Sequence, residues 1–489
     1  MRQDAKIIRF RTGLFLTESL QYSSMAPNIL PTTANANRGS ADLASLVTLT
    51  ANVQDLYLRL LSEDFLAEAR KRENNRVYNT AVVIWLMITE RLQAEGSMAT
   101  AMMELPGLPA GFWPNPCKRL LGEAAMSSNT GAYNKARQQL PLKAVEQACD
   151  DVFSQLAASI GGSEPALGRL AFAFDGTTVR TPHTKDLKHL YPPTSNQEGE
   201  SHWPLIRMVV AHDLVTGLGM RPAWGAVNGP NAVSEQRLFE QAVERLPAQA
   251  VVVADANFGV FSVAYAAFQR NHPVVLRLTA VRAKSLLQGP LIDGIDRRYD
   301  WRPTKADRKS HPELPPDACI PGRLIVSLVQ PSNGKDPFLL CLFTTLLDED
   351  RDEILSIYGR RWNIETDLRS LKGTLRLEEL TCTTPQMVDK EIEVAMMSYN
   401  LVRTAIYQAA QQAGTAPRSF SFTRVKNTIN FYAPKIAAAA TAEEAERLLA
   451  LMNHYIGQAK LYPRKNKRPT YPREVWHSTK PFPRRKATS

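Results

Sequence analysis

The most constraining feature of this chain is an ordered series of strand-like and helix-like segments that begins at about Gly168. Three apolar segments come first and predict a meander of strands: RLAFAFDG, WPLIRMVVAHDL and GMRPAWGAV. A capped amphipathic helix (SEQRLFEQAVERL), a buried strand (AQAVVVADANFG), a second helix (VFSVAYAAFQRN) and a further strand (HPVVLRL) follow. The order β-β-β-α-β-α-β predicts one mixed sheet with helices on its faces.

That order is the order of a ribonuclease-H-like core, so we expect an α/β domain of this class over residues 166–430. A stretch rich in charge and proline interrupts the pattern at about 279–336, with one clear strand at its end. It predicts a β-rich insertion before the last helix of the core. The segment FLLCLFTTLL then resumes the strand pattern.

The regions on either side of the core differ from it in their pattern of apolar and polar residues, as expected for a chain of 489 residues with several domains. Residues 1–42 show little pattern and predict a flexible leader. Residues 43–165 carry apolar residues at helical intervals and predict a helical N-terminal domain. Residues 431–489 predict a helical C-terminal region that ends at about Gln458 and is followed by a basic, proline-broken tail.

The overall charge and the cysteine pattern narrow the class of protein. A formal net charge of +11 suits a polyanionic partner such as nucleic acid, or less often an acidic membrane surface. The five cysteines are scattered and never have C-x-x-C spacing, which fits a reducing cytosol and disfavours a zinc cluster. No apolar run approaches the roughly 18 to 20 residues of a membrane span. We therefore expect a cytoplasmic protein, with no membrane partner.

Two aspartates each follow an apolar strand, Asp175 after LAFAF and Asp255 after VVVA. Phosphoryl transfer is commonly run by two divalent ions about 3.5 to 4 Å apart. Mg²⁺ prefers carboxylate and water ligands, so such a site needs two or three acids from different segments. Acids at strand ends can converge in space, although a single Asp after a strand is more often a turn or cap residue.

The segment YGRRWNIETDLRSLKG, which begins at Tyr358, predicts a helix at the margin of the core. At about 100° per residue, four of its polar side chains fall within an arc of roughly 60°, beside the apolar face. They are Tyr358, Arg361, Glu365 and Lys372. Solvated charge stripes usually lie opposite the core, so this one predicts a carboxylate held next to a bound phosphate. An i,i+4 salt-bridge pattern around Glu365 is the alternative.

The spacing Y-x(2)-R-x(3)-E-x(6)-K in this segment resembles the signature of the DDE transposases of bacterial insertion sequences, in the insertion-sequence-four group. FDGTTVRTP is similar to the family's first-aspartate region and VVVADANFG to its second. The chain departs from the family pattern at Ala256, where the family often has Arg.

This resemblance implies a set of functional residues. The catalytic metal ligands would be Asp175, Asp255 and Glu365, and the DNA-binding residues would be Tyr358, Arg361 and Lys372. The cofactor would be two Mg²⁺ ions, which Mn²⁺ could replace.

The resemblance also implies a function, namely a transposase that binds terminal inverted repeats and performs cut-and-paste cleavage and strand transfer. Its partners would be double-stranded DNA, at the transposon ends and at the target, and a second copy of the chain in a synaptic homodimer. A decayed or domesticated copy that only binds DNA is the main alternative. A nuclease for other substrates is a third possibility, and a glycosidase with paired acids would leave the Tyr/Arg/Lys stripe unexplained.

Two further features are less specific. The basic cluster Arg70–Arg76 and the helix GAYNKARQQL resemble parts of the family's end-recognition domain, or are solvated basic faces. Trp301, in the insertion, is either a packing residue or a side chain that stacks on a flipped base, a role that the family's inserted β region can play.

Overall fold

A computed structural model describes most of the chain. The described residues are 8–10, 53–72, 77–93, 96–113, 129–160, 167–196, 199–200, 203–331 and 336–461. The basic tail that follows residue 461 and most of the predicted leader lie outside them.

The α-helices in the described ranges fall into an N-terminal group, a group that flanks the sheet, and a C-terminal group. They are α1 (Val53–Leu60), α2 (Glu63–Arg72), α3 (Thr80–Leu92), α4 (Met98–Met102), α5 (Gly131–Gln139), α6 (Leu142–Ile160), α7 (Lys185–Leu190), α8 (Glu235–Ala242), α9 (Phe261–Phe268), α10 (Ala280–Leu287), α11 (Lys305–Ser310), α12 (Arg351–Gly359), α13 (Asn363–Arg369), α14 (Pro385–Gln412), α15 (Phe422–Ala437) and α16 (Ala442–Gly457).

The strands form one mixed nine-stranded sheet and one small hairpin. They are β1 (Ile8–Phe10), β2 (Ala171–Arg180), β3 (Ser195–Asn196), β4 (Gly199–Glu200), β5 (Leu205–Asp213), β6 (Ala223–Ala226), β7 (Val251–Ala254), β8 (Val274–Arg277), β9 (Asp296–Trp301), β10 (Ile320–Pro331) and β11 (Phe338–Thr344). The hairpin consists of β3 and β4.

The order of the main sheet is β1-β10-β11-β8-β7-β2-β5-β6, and β9 also pairs with β10. At its centre, β2 runs antiparallel to β5 and parallel to β7, and β7 runs parallel to β8. The predicted meander of three strands is therefore β2, β5 and β6, and the two predicted helices are α8 and α9. The expectation of a mixed α/β fold is confirmed.

The region of the predicted insertion extends the main sheet. Strands β9 and β10 pair antiparallel, and β10 continues onto β11, so these residues add to the edge beyond β8. Trp301 at the end of β9 is buried, with its ring against Phe261 and Phe343 at centroid distances of 5.8 and 4.7 Å. Of its two predicted roles, the structure shows packing, because no face of the ring is open to a base.

The N-terminal helices share one hydrophobic core with the sheet region, a cluster of buried residues that extends from Val53 to Ala459. Helices α3 and α6 both pack on α14, the 28-residue helix that forms the spine of this layer. Such burial stabilises the helices far more than their intrinsic propensity does. None of the described helices is long and apolar enough to cross a membrane.

Candidate active site

Asp175 and Asp255 lie side by side at the centre of the sheet. The parallel pairing of β2 with β7 ends at Phe174 opposite Ala254; Asp175 is the next residue of β2, and Asp255 directly follows the end of β7. Neighbouring strands are about 4.8 Å apart, so this register brings the two residues together. The prediction that Asp175 ends its strand was wrong: β2 continues to Arg180, because its second half pairs with β5.

The Asp175 carboxylate is three-quarters buried, with 24% of its side chain exposed. Burial raises its pKa to about 6; the Arg361 guanidinium and the backbone N–H of Gly176 oppose that rise, and the carboxylates of Asp255 and Glu235 add to it. Its Oδ1 accepts a 2.8 Å hydrogen bond from Gly176, and its Oδ2 lies 4.0 Å from the Arg361 guanidinium. One cation therefore faces several carboxylates here.

Tyr358, in α12, and Arg361, in the turn that follows it, lie near these carboxylates. Both side chains are buried. Burial raises the pKa of the Tyr358 phenol; the guanidinium groups of Arg361 and Arg277 oppose this rise, and Asp255 adds to it. Among the described residues, no group meets the geometry of a hydrogen bond to the Tyr358 hydroxyl or the Arg361 Nε, although the Arg361 guanidinium lies close enough to the hydroxyl to lower its pKa. These buried polar groups are thus available to an acceptor that approaches the two aspartates.

The sequence predicted one continuous α-helix for the segment that carries Tyr358, Arg361, Glu365 and Lys372. That prediction was wrong. Helix α12 passes into a 3₁₀ turn at Arg360–Trp362, then into α13, and then into a π-helix at Ser370–Thr374. A 3₁₀ turn has about three residues per turn and a π-helix hydrogen-bonds from i to i+5, so the direction of each side chain changes along the segment. The angles of one regular α-helix therefore do not describe how these four side chains are arranged.

Glu365 lies on α13 and is half-buried. Helix α13 packs against β2 and β5, which places Glu365 on an element next to the Asp175 strand. In the described residues, however, no group of three His, Cys, Asp or Glu side chains is close enough to hold a metal ion. The structure thus brings the two aspartates together and brings the helix of Glu365 beside them, without closing a three-carboxylate group.

Lys372 lies in the π-helix and lines a cavity of about 400 Å³ that Asp175, Asp255 and Arg361 do not line. Both signs of charge occur on its walls, which include Arg91, Glu90 and Glu391. Lys372 therefore lines a different part of the surface from Arg361, and α13 lies between the two residues in the chain.

The chemistry of the aspartate pair fits a hard divalent cation. The pair itself offers carboxylate oxygens, and the ordinary preference of Mg²⁺ is for such ligands. The pKa of Asp175 is raised chiefly because burial disfavours its charged form, and the guanidinium of Arg361 only partly offsets this. A divalent ion between two such carboxylates would remove their repulsion.

Three residues near the aspartates escaped the sequence predictions. Arg277 follows Leu276, the register partner of Ala254, so it is level with Asp255 on the next strand. The carboxylate of Glu235 and the side-chain amide of Asn257 form a hydrogen bond beside the pair. A signal for Arg277 was present, because it too ends a buried strand of the parallel set, but Glu235 and Asn257 come together only through the fold.

The helix predicted as a possible DNA contact, GAYNKARQQL, turns two of its polar residues inward. Tyr133 is fully buried and donates a 2.6 Å hydrogen bond to Glu90, and Arg137 pairs with the same carboxylate at 2.8 Å. Lys135 of this helix is exposed. Arg76, from the basic cluster that precedes α3, lies outside the described residues.

Part of the chain is similar to known proteins. Residues 166–401 match the model of the family described as the transposase DDE domain. The chain is 25% identical over 301 residues to the transposase InsG for insertion sequence element IS4 of Escherichia coli (strain K12). That match covers 60% of this chain and 64% of the relative, so it spans less than two thirds of the relative's length.

A solved structure, the piggyBac transposase synaptic complex with hairpin DNA, aligns with 82% of this chain and 85% of its own at 10% identity and a TM-score of 0.40. A similarity of that size supports no further conclusion. The family match and the IS4 relative rest on the sequence itself. The match of residues 166–401 to the transposase DDE domain family, together with the IS4 relative, confirms the predicted resemblance to DDE transposases of the IS4 kind.

Proposed function

We propose that this protein is a transposase that binds the terminal inverted repeats of its own element and moves it by cut-and-paste strand cleavage and strand transfer. The observation that carries the proposal is that Asp175 and Asp255 directly follow Phe174 and Ala254, the last paired residues of two adjacent parallel strands, with Arg361 beside Asp175. Two carboxylates and a guanidinium in one pocket suit a reaction at a phosphodiester, in which negative charge must be both neutralised and positioned.

The core that presents these residues is, in this proposal, ribonuclease-H-like. The strand order supports this part of the proposal. Strands β2, β5 and β6 form an antiparallel meander, and β7 and β8 are added in parallel on the other side of β2. Asp175 and Asp255 then lie where the central strand and its parallel neighbour stop pairing.

Asp175 and Asp255 would hold the divalent cofactor, two Mg²⁺ ions with Mn²⁺ as a substitute, together with Glu365. When bound, such ions favour deprotonation of the attacking oxygen and stabilise the leaving oxygen. Arg361 keeps Asp175 more acidic than burial alone would allow, so the carboxylate is available at neutral pH. Glu365 would join the pair by a small displacement of α13, which already packs on the Asp175 strand.

Tyr358 and Arg361 would bind a phosphate of the transposon end. Both carry a buried donor that has no partner among the described residues, and a phosphate oxygen is an acceptor for each. Lys372 would bind DNA at the mouth of its own cavity, farther along the same segment. The DNA would therefore cross both the aspartate pocket and the cavity beside α3, and a homodimer would bring two ends together.

The experiment uses the purified full chain and a duplex that carries the inverted repeats flanking its gene, with Mg²⁺ or Mn²⁺. The wild type should nick the repeat boundary and join the freed 3′-hydroxyl to a target duplex. Asp175→Asn and Asp255→Asn should bind the same duplex but leave it uncut, whereas Glu240→Gln, which alters a carboxylate of α8 that pairs with Arg237, should cut it normally. Cutting by either aspartate variant would overturn the proposal. Binding without cutting by the wild type would favour the DNA-binding alternative.

A further inference from the structure

Glu235 occupies an unusual place between the strand of Asp175 and the loop of Asp255. It is the first residue of α8, whose N-cap Ser234 accepts a 3.1 Å hydrogen bond from the backbone N–H of Arg237. Its carboxylate packs directly on Gly176: a Cβ added to Gly176 would lie 2.3 Å from the carboxyl carbon of Glu235. The absence of a side chain at position 176 is what lets this carboxylate approach the backbone of β2.

The same carboxylate is hydrogen-bonded to the loop that follows β7. It accepts a hydrogen bond from Nδ2 of Asn257. The backbone N–H of Asn257 in turn donates a 2.9 Å hydrogen bond to Oδ1 of Asp255. Gln236 adds a second link, because its Nε2 donates to the backbone carbonyl of Asn257 at 2.9 Å. The first turn of α8 therefore fixes the loop residue that orients Asp255.

The location of Glu235 is costly on electrostatic grounds. A third carboxylate placed beside two others adds repulsion, which a neutral residue at position 235 would avoid. The hydrogen bond that compensates this cost joins Glu235 to Asn257, and Asn257 is hydrogen-bonded to Asp255. The contacts of Glu235 therefore act on the position of Asp255. Groups that orient ligands in this way change metal affinity by about 10- to 100-fold when they are removed.

We propose that Glu235 is a positioning residue, which holds the Asp255 loop against the Asp175 strand through Asn257 and so keeps the two aspartates at the separation that a divalent ion requires. This inference rests on the proposed function in one respect, since it takes Asp175 and Asp255 as the pair that holds the ion. Glu235 acts through Asn257 and is not itself a ligand.

The test is a titration of the full-length protein with Mn²⁺ alone. Binding is measured by calorimetry or from the electron paramagnetic resonance signal of the free ion. Glu235→Ala should weaken Mn²⁺ binding about tenfold. Glu235→Gln should stay within about threefold of the wild type, because its Oε1 still accepts from Asn257. Glu240→Gln is the matched control on the same helix, since Glu240 pairs only with Arg237 among the contacts described for it, and should not change the affinity.

A second variant reaches the same contact from the other side. Gly176→Ala should displace the Glu235 carboxylate and weaken Mn²⁺ binding to a similar degree, while Gly176→Ala combined with Glu235→Ala should be no weaker than either alone. Thermal unfolding of each variant, measured in EDTA, separates this effect from a loss of folded protein.

The outcomes distinguish the inference from the proposed function. Rescue by Glu235→Gln together with the non-additive double variant supports the inference. Wild-type affinity in Glu235→Ala would overturn it and leave the aspartate pair intact. Equal losses in Glu235→Gln and Glu235→Ala would also overturn it, because the charge and not the hydrogen bond would then matter. Failure of the wild type to bind Mn²⁺ would overturn the proposed function and this inference with it.

Discussion

The guanidinium of Arg361 lies 4.0 Å from Oδ2 of Asp175, and both groups are largely buried. This pair joins two separate parts of the proposed site, since Arg361 lies in the 3₁₀ turn and Asp175 in the central strand. Arg361 also lies 4.9 Å from the centroid of the Trp362 ring, which holds the guanidinium in place. The cation that was predicted to bind DNA thus also sets the charge state of the first aspartate.

Replacement of Arg361 by Ala should shift the pH dependence of Mn²⁺ binding to higher pH. Arg361 lowers the pKa of Asp175 from the value that burial alone would give, so its removal raises that pKa further above 6. Because only the deprotonated carboxylate binds the ion, the pH of half-maximal binding should rise by about one unit. Arg237→Ala, an exposed Arg on α8, is the control. An unchanged midpoint in Arg361→Ala would show that the pair does not interact.

Asp175 should make the metal-free protein less stable as the pH rises. Its folded pKa of about 6 exceeds the ordinary value of 3.8, so its contribution to stability is full below pH 4 and is lost as the pH passes through 6. Asp175→Asn should therefore gain stability over the wild type between pH 4 and 7, by about 3 kcal/mol at the upper end. Urea unfolding in EDTA at several pH values measures this, and a pH-independent difference would contradict the account.

Tyr358→Phe should leave stability unchanged or raise it by up to about 1 kcal/mol, because the hydroxyl that it removes is buried without a hydrogen-bond partner in the described residues. Affinity for a duplex carrying the terminal repeat should nonetheless fall, by about fivefold for the loss of one phosphate hydrogen bond. Denaturation and gel-shift titration of the same preparation test both halves. A clear loss of stability with normal DNA affinity would make Tyr358 a structural residue.

Asp367→Asn should be severely destabilising, although it lies only two residues from Glu365. Oδ1 of Asp367 accepts hydrogen bonds from Arg403 and Arg418 inside the core. Burial alone would raise the pKa of Asp367, yet the two guanidinium groups bring it below its ordinary value. Loss of one member of such a buried group costs about 3 to 5 kcal/mol. Asp348→Asn, at an exposed position, is the control for urea denaturation.

Elements with strong local patterns were predictable from the sequence. The runs VVVA and VVLR are apolar and rich in β-branched residues, and they form β7 and β8 as expected. The approach of Asp175 to Asp255 was also predictable, because equivalent ends of adjacent parallel strands meet at one edge. On β2 this point lies in the middle of the strand, because β2 continues past the end of β7 and pairs there with its antiparallel partner β5.

Other features depend on tertiary contacts that leave no local pattern. The 3₁₀ turn at Arg360 and the π-helix at Ser370 have no distinctive composition, so the sequence predicted a uniform helix in their place. Arg137 resembles a surface cation in the sequence but pairs with Glu90 of α3 in the fold. Glu235 is adjacent to Asn257 only because α8 packs beside the end of β7.

The most direct test of the central claim is cleavage of the full-length protein by hydroxyl radicals generated from bound Fe²⁺ with ascorbate and peroxide, with the fragments mapped by mass spectrometry. The account predicts cuts next to Asp175, next to Asp255 and within α13 near Glu365, all suppressed by excess Mg²⁺ and by Asp175→Asn. Cuts elsewhere in the chain, or cuts at the two aspartates with none near Glu365, would contradict a single site built by these three carboxylates.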